Sequence, residues 1–142
     1  MIFVERLDHF VLTVADIDAT CNFYETVLGC EVVQFCTGVG PTRYALRMGN
    51  SPQKINLHPA DGPFEPSAHK PQPGSADFCF ITSVSIVDVM QHLQSLAVPI
   101  IAGPVQRTGT LGPILSVYVR DPDGNLVEIA NALHKDLDAD SH

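Results

Sequence analysis

Apolar and polar positions alternate along residues 8–14, where His9, Val11 and Thr13 fall on one face and Phe10, Leu12 and Val14 on the other. β-Branched and aromatic residues fill the stretch, which therefore reads as a strand. The period then changes. After Asp16, a residue suited to capping a helix, Ile17, Thr20, Cys21, Phe23, Tyr24, Val27 and Leu28 recur at helical spacing, and Gly29 closes the run. Residues 31–35, 43–47 and 54–58 return to strand patterning, so the first half predicts strand, helix and three strands.

Five prolines between residues 59 and 74 mark a connector rather than an element. Beyond it the pattern restarts. Residues 77–82 predict a strand and residues 86–96 a helix with Ile86, Val89, Met90, Leu93 and Leu96 on one face. A short apolar segment at residues 99–101 follows. Residues 103–113, rich in glycine and proline, predict a long loop of the kind that serves as a mobile lid. Residues 116–129 then read as strand, Asp-Pro-Asp-Gly turn and strand. A shift of 68 places His9 on Asp77, Phe10 on Phe78, Leu28 on Leu96 and Val32 on Ile100, while Asn56 meets Glu128 at a shift of 72. One unit has been duplicated, and the second copy carries about four more loop residues.

With 142 residues, 45% hydrophobic and 17% charged, the chain fits one globular domain. Its net charge of −8 argues against nucleic-acid and anionic-membrane partners. Part of that charge sits in a tail containing Asp136, Asp138 and Asp140, expected to be frayed and to aid solubility. The first residues lack a basic start and a long apolar run, so no secretion signal is expected. Nor does any apolar run reach membrane-spanning length. Cys21, Cys30, Cys36 and Cys79 have no Cys-x-x-Cys spacing and read as reduced thiols in a cytoplasmic protein.

Duplication gives the polar residues inside apolar strands a common address. His9 and Asp77 open the two first strands; Asn56 and Glu128 sit at matching places on the two last strands. A carboxylate such as Glu128 between Val127 and Ile129 is costly unless a cation or open water compensates it. Imidazole with carboxylates suits Mn, Fe(II), Ni or Zn. His58, two residues beyond Asn56, is a fourth ligand if a bulge re-aims it, otherwise a general base, or else a strand-end side chain in water. Arg107 is the only charge of the predicted loop and suits pairing with a substrate anion, or lies free on the surface. Tyr118 either lines the cavity with its hydroxyl or joins the core.

These residues, together with Phe23-Tyr24 ahead of Leu28-Gly29 and the turn leading to Glu128, resemble the vicinal oxygen chelate superfamily, which includes glyoxalase I, extradiol dioxygenases and bleomycin-binding proteins. Within it the chain is most similar to the glyoxalase domain-containing protein 5 subgroup. The resemblance implies an α+β fold of two tandem βαβββ modules whose curved mixed sheets form a cup. The expected layout is a first module at about residues 5–58, the connector at 59–74, a second module at about 75–131 and the acidic tail at 132–142.

It further implies a divalent-metal enzyme of glyoxalase type, performing Lewis-acid isomerisation or lyase chemistry on a small α-hydroxy or α-keto substrate. The alternatives are an Fe(II)-dependent dioxygenase and a metal-free small-molecule binder. By position, His9 and Glu128 match metal ligands of the superfamily, whereas Asp77 replaces a second His and Asn56 a Glu. The expected assignments are His9, His58, Asp77 and Glu128 for the metal; Glu128 and His58 for catalysis; and Asn56, Arg107 and Tyr118 for the substrate. Many relatives are homodimers, and the same is expected here.

Overall fold

The fold is taken from a computed structural model that describes residues 1–133. The tail aspartates and His134 lie outside the described residues. The chain divides into two compact units, the first being Met1–Ala76 with Pro122–Gly124, the second Asp77–Asp121 with the chain from Asn125 onward.

The first unit contains β1 (His9–Val14), α1 (Ile17–Leu28), β2 (Glu31–Phe35), β3 (Arg43–Arg47) and β4 (Lys54–Pro59). Its sheet runs β1-β4-β3-β2, with β1 parallel to β4 and the other pairs antiparallel. A parallel pair requires a long return, and here α1 and the β2–β3 hairpin provide it. Asp16 caps α1 by accepting a hydrogen bond from the Ala19 amide at 2.9 Å, and Gly29 ends it in the left-handed region at φ 66°. One face of the sheet turns Leu12, Val14, Leu46, Ile55 and Leu57 into the core beneath α1, whose Tyr24 is fully buried. The opposite face carries His9, Asn56 and His58.

The second unit repeats the arrangement with β5 (Asp77–Ile81), α2 (Ile86–Ser95), β6 (Ala102–Gly109), β7 (Gly112–Arg120) and β8 (Leu126–Ala132), in the order β5-β8-β7-β6. Ser85 caps α2 through the Asp88 amide, and α2 lies on β7. Asn131 donates to the carbonyls of Thr82 and Val84 at 2.9 and 2.7 Å, fixing the passage from β5 into α2. In the first unit His9 is level with Lys54, and in the second Asp77 is level with Leu126. The duplication therefore extends to strand register.

Residues 103–113 depart from the expected lid. Most of them form β6 and the start of β7, paired from Val105–Ser116 to Gly109–Gly112. The segment at residues 99–101, matched to β2 by the single shift, lies before the strand rather than in it. β6 is the sheet edge, and its register slips between Ala102 and Val105, where Gly103 and Pro104 sit. An edge strand with a bulge tolerates a residue that lacks an amide hydrogen, so the proline-based prediction of a loop does not hold.

Between β7 and β8 the turn is tied by its ends. Asp121 accepts hydrogen bonds from the Asn125 amide at 3.0 Å and side chain at 2.9 Å, and donates its own amide to the Asn125 carbonyl at 3.2 Å. Gly124 takes φ 86°, as the tight return demands.

Candidate functional site

Each unit presents its candidate residues on the sheet face away from its helix. In the first unit, His9 Nδ1 lies 2.8 Å from the Asp8 carboxylate. The imidazole holds the Asp8 carboxyl below the usual carboxylate range, the hydrogen bond being the largest cause. An imidazole held at Nδ1 by a carboxylate offers Nε2 outward, the arrangement common in metal-binding histidines. Asn56 follows on the neighbouring strand, level with Val11 and Ala45. Neither neighbour has a side-chain donor, and the buried Asn56 Oδ1 has no hydrogen-bond partner among the described residues.

His58 is level with Thr13, and the pairing from Asn56 to His58 is unbroken, so the bulge that would re-aim its ring is absent. Nor does it point into water. It is only 8% exposed, and the Phe64 ring stands edge-on to it with centroids 5.2 Å apart. Burial lowers its pKa, and the Arg43 charge lowers it further, which favours the neutral imidazole. Phe64 belongs to the proline-rich connector, so that segment also shapes the surroundings of His58.

In the second unit, Glu128 on β8 is level with Cys79 on β5 and Tyr118 on β7. The Ser116 hydroxyl, fully buried, donates to Glu128 Oε2 at 2.5 Å. Charge-assisted bonds of this kind are short and hold the acceptor firmly. The Cys79 thiol is pushed up to about 11 by burial first, then by the charge of Glu128 and a hydrogen bond to it. Asp77 shares the face two residues before Cys79. Arg107 Nε donates to the Tyr118 hydroxyl at 3.1 Å, with the guanidinium 5.7 Å from the ring centroid, so these two substrate-binding candidates touch one another.

Sequence patterning missed Ser116 and Cys79. The signal for Cys79 was its shared alternation with Asp77, hidden because a thiol between Phe78 and Phe80 resembles core. Ser116 gave no signal, because its role depends on pairing with a distant strand. Among the described residues, no three His, Cys, Asp or Glu side chains gather at one point. Taken individually, the donors have the chemistry a hard-to-borderline divalent ion requires: an imidazole oriented by a carboxylate, an unpartnered amide oxygen and a carboxylate held by a hydroxyl.

Two tandem βαβββ units with polar residues at repeated strand positions define a glyoxalase-type domain, and the chain belongs to the Glyoxalase/Bleomycin resistance protein/Dioxygenase superfamily, whose profile matches residues 6–129. It is 52% identical over 89% of its length to Virulence protein STM3117 of Salmonella typhimurium, covering 84% of that protein. The crystal structure of STM3117 matches with a TM-score of 0.85 over 93% of this chain and all of the other, at 50% identity. The chain is also 52% identical over 90% of its length to Glyoxalase domain-containing protein RDO1 of Mycosarcoma maydis, spanning 69% of it. Biphenyl-2,3-diol 1,2-dioxygenase 3 of Rhodococcus globerulus is 31% identical over 91% of this chain, which spans 64% of that enzyme.

Proposed function

We propose that this chain is a glyoxalase-like metalloenzyme that isomerises or cleaves a small substrate bearing neighbouring oxygens, of α-hydroxy or α-keto type. His9, Asp77 and Glu128 are the proposed ligating side chains. His58 is the proposed proton acceptor, and Asn56, Arg107 and Tyr118 are the proposed substrate contacts. The observation that carries this reading is the Ser116–Glu128 hydrogen bond, in which a fully buried hydroxyl holds a strand carboxylate at 2.5 Å. A carboxylate that merely faced solvent would have no use for such an anchor.

When bound, a divalent ion supplies Lewis-acid stabilisation of charge developing on substrate oxygens. The chain's own residues do the rest. Burial and Arg43 favour neutral His58, so its imidazole is ready to accept a proton near pH 7. Asn56 Oδ1, without a partner, can accept a hydrogen bond from a substrate hydroxyl. Arg107, steadied by Tyr118, offers its remaining N–H groups to a substrate anion.

The test is elemental analysis of purified protein, with light scattering to establish whether it forms the dimer expected from the family resemblance. Stoichiometric Mn, Fe, Ni or Zn that is lost in both His9→Ala and Glu128→Ala supports the reading. Oxygen uptake with Fe(II) and a catechol would move the chain to the dioxygenase class, to which its 31% identity with a biphenyl-diol dioxygenase lends support. A metal-free small-molecule binding protein is the remaining reading. Failure to take up metal under any loading condition would favour it over the metalloenzyme.

A further inference from the structure

A hollow of about 190 Å³ opens in the first unit between the start of α1 and the connector, lined by Ile17, Leu57 and Phe64 with Arg43, Tyr44 and Asp61. It includes none of the proposed ligating residues. Arg43 is half-buried, and its guanidinium carbon lies 4.1 Å from the centroid of the Phe64 ring. That contact fixes the cation without neutralising it. Among the described residues, no carboxylate comes within ion-pairing distance of Arg43. In a chain with twice as many acidic as basic side chains, a half-buried arginine left without an acid is poorly explained by folding alone. Its charge is also felt inside the unit, where it helps keep His58 neutral.

We propose that this hollow is a binding site for a small organic monocarboxylate with an aromatic or branched apolar body. Its carboxylate pairs with Arg43 in the planar, two-pronged geometry that guanidinium favours. Its body packs on Phe64 and Ile17, over the buried Leu57. Size limits the ligand: a cavity of about 150 Å³ accommodates a benzene ring, whereas drug-sized ligands need roughly 300 Å³ or more. One ring or a short branched chain with its head group therefore fits. Asp61, exposed on the same lining, opposes negative charge in the hollow, and opposes a dianion more strongly than a monoanion.

Phe64 touches both Arg43 and His58, which supplies an internal reporter. Benzoate is titrated into the chelator-treated full chain, followed by calorimetry and by the His58 ring resonances. The expected result is saturable binding with a Kd of about 1 mM, accompanied by a shift of the His58 ring signals. Arg43→Gln should weaken it about tenfold or more, and Arg43→Lys, which keeps the charge and loses the fork, by less. Benzyl alcohol and phthalate should each bind at least about tenfold more weakly than benzoate. Circular dichroism of each variant separates lost binding from lost folding, and Phe64→Leu provides a second route by removing the stacking surface. The proposal is overturned if benzoate fails to saturate, if Arg43→Gln and Phe64→Leu both bind normally, or if the shifts appear only in the second unit. These outcomes are independent of the metal content that tests the proposed function.

Discussion

Replacing Asn125 by alanine tests whether the β7–β8 turn is held by a buried polar clasp. Asn125 is 1% exposed and Asp121 5% exposed, and the Asn125 amide side chain donates to Asp121 at 2.9 Å. The alanine variant keeps the backbone bond to Asp121 at 3.0 Å but removes this charge-assisted one. Hydrogen bonds to buried charged groups contribute about 1.5–3 kcal/mol. A loss of about 2–3 kcal/mol is therefore expected. With an m-value near 2 kcal/mol/M in urea, the unfolding midpoint should fall by about 1–1.5 M with an unchanged slope. Asn125→Asp sharpens the test. It keeps the shape but sets a second carboxylate against Asp121, and each then resists ionisation in the folded state. Its destabilisation should grow as pH rises from 4 to 7, in the direction expected for acids with raised folded-state pKa values. A midpoint shift under about 0.3 M for Asn125→Ala, or a pH-independent loss for Asn125→Asp, would refute the clasp.

His58 has a depressed folded-state pKa, so its contribution to stability is fully present above its unfolded value of 6.5 and is lost as pH falls towards the folded value. Urea midpoints should therefore drop between pH 7 and 5 in the wild type and drop less in His58→Gln; equal slopes would contradict the assignment. With its thiol pushed up to about 11, Cys79 should react with a disulfide reagent at pH 8 more slowly than Cys36, although both are exposed, and Glu128→Gln should accelerate it. Equal labelling rates, read by mass spectrometry, would argue against the Cys79–Glu128 contact. Gly103 has φ 92°, and an added Cβ would press on the Ser116 carbonyl, so Gly103→Ala should cost about 1–3 kcal/mol, whereas Gly62→Ala, with open space around it, should cost little. A wild-type melting curve for Gly103→Ala would show that the backbone can yield there.

Much of the architecture was legible because it was written twice. The change from period two to helical spacing recurs in each half, and the shift that aligns His9 with Asp77 survives as strand register. What failed was local. Gly103 and Pro104 signal a break to any reading of adjacent residues, but an edge position in the sheet lets a strand pass through them. For His58, a strand-end side chain in water stood beside ligand and general base because Pro59 follows it. Phe64, from a segment without regular structure, covers it instead. The polar face was predictable in composition and not in partnership. Alternation placed Glu128, but only pairing between strands brings it Ser116 and Cys79.

The matched register of the two halves has an engineering corollary. Val11 beside Asn56 and Cys79 beside Glu128 occupy equivalent seats, one pair free of ionisable groups and the other not. Each half is thus a backbone template for its sibling, and a side chain can be transplanted between them without redesigning the strand beneath it.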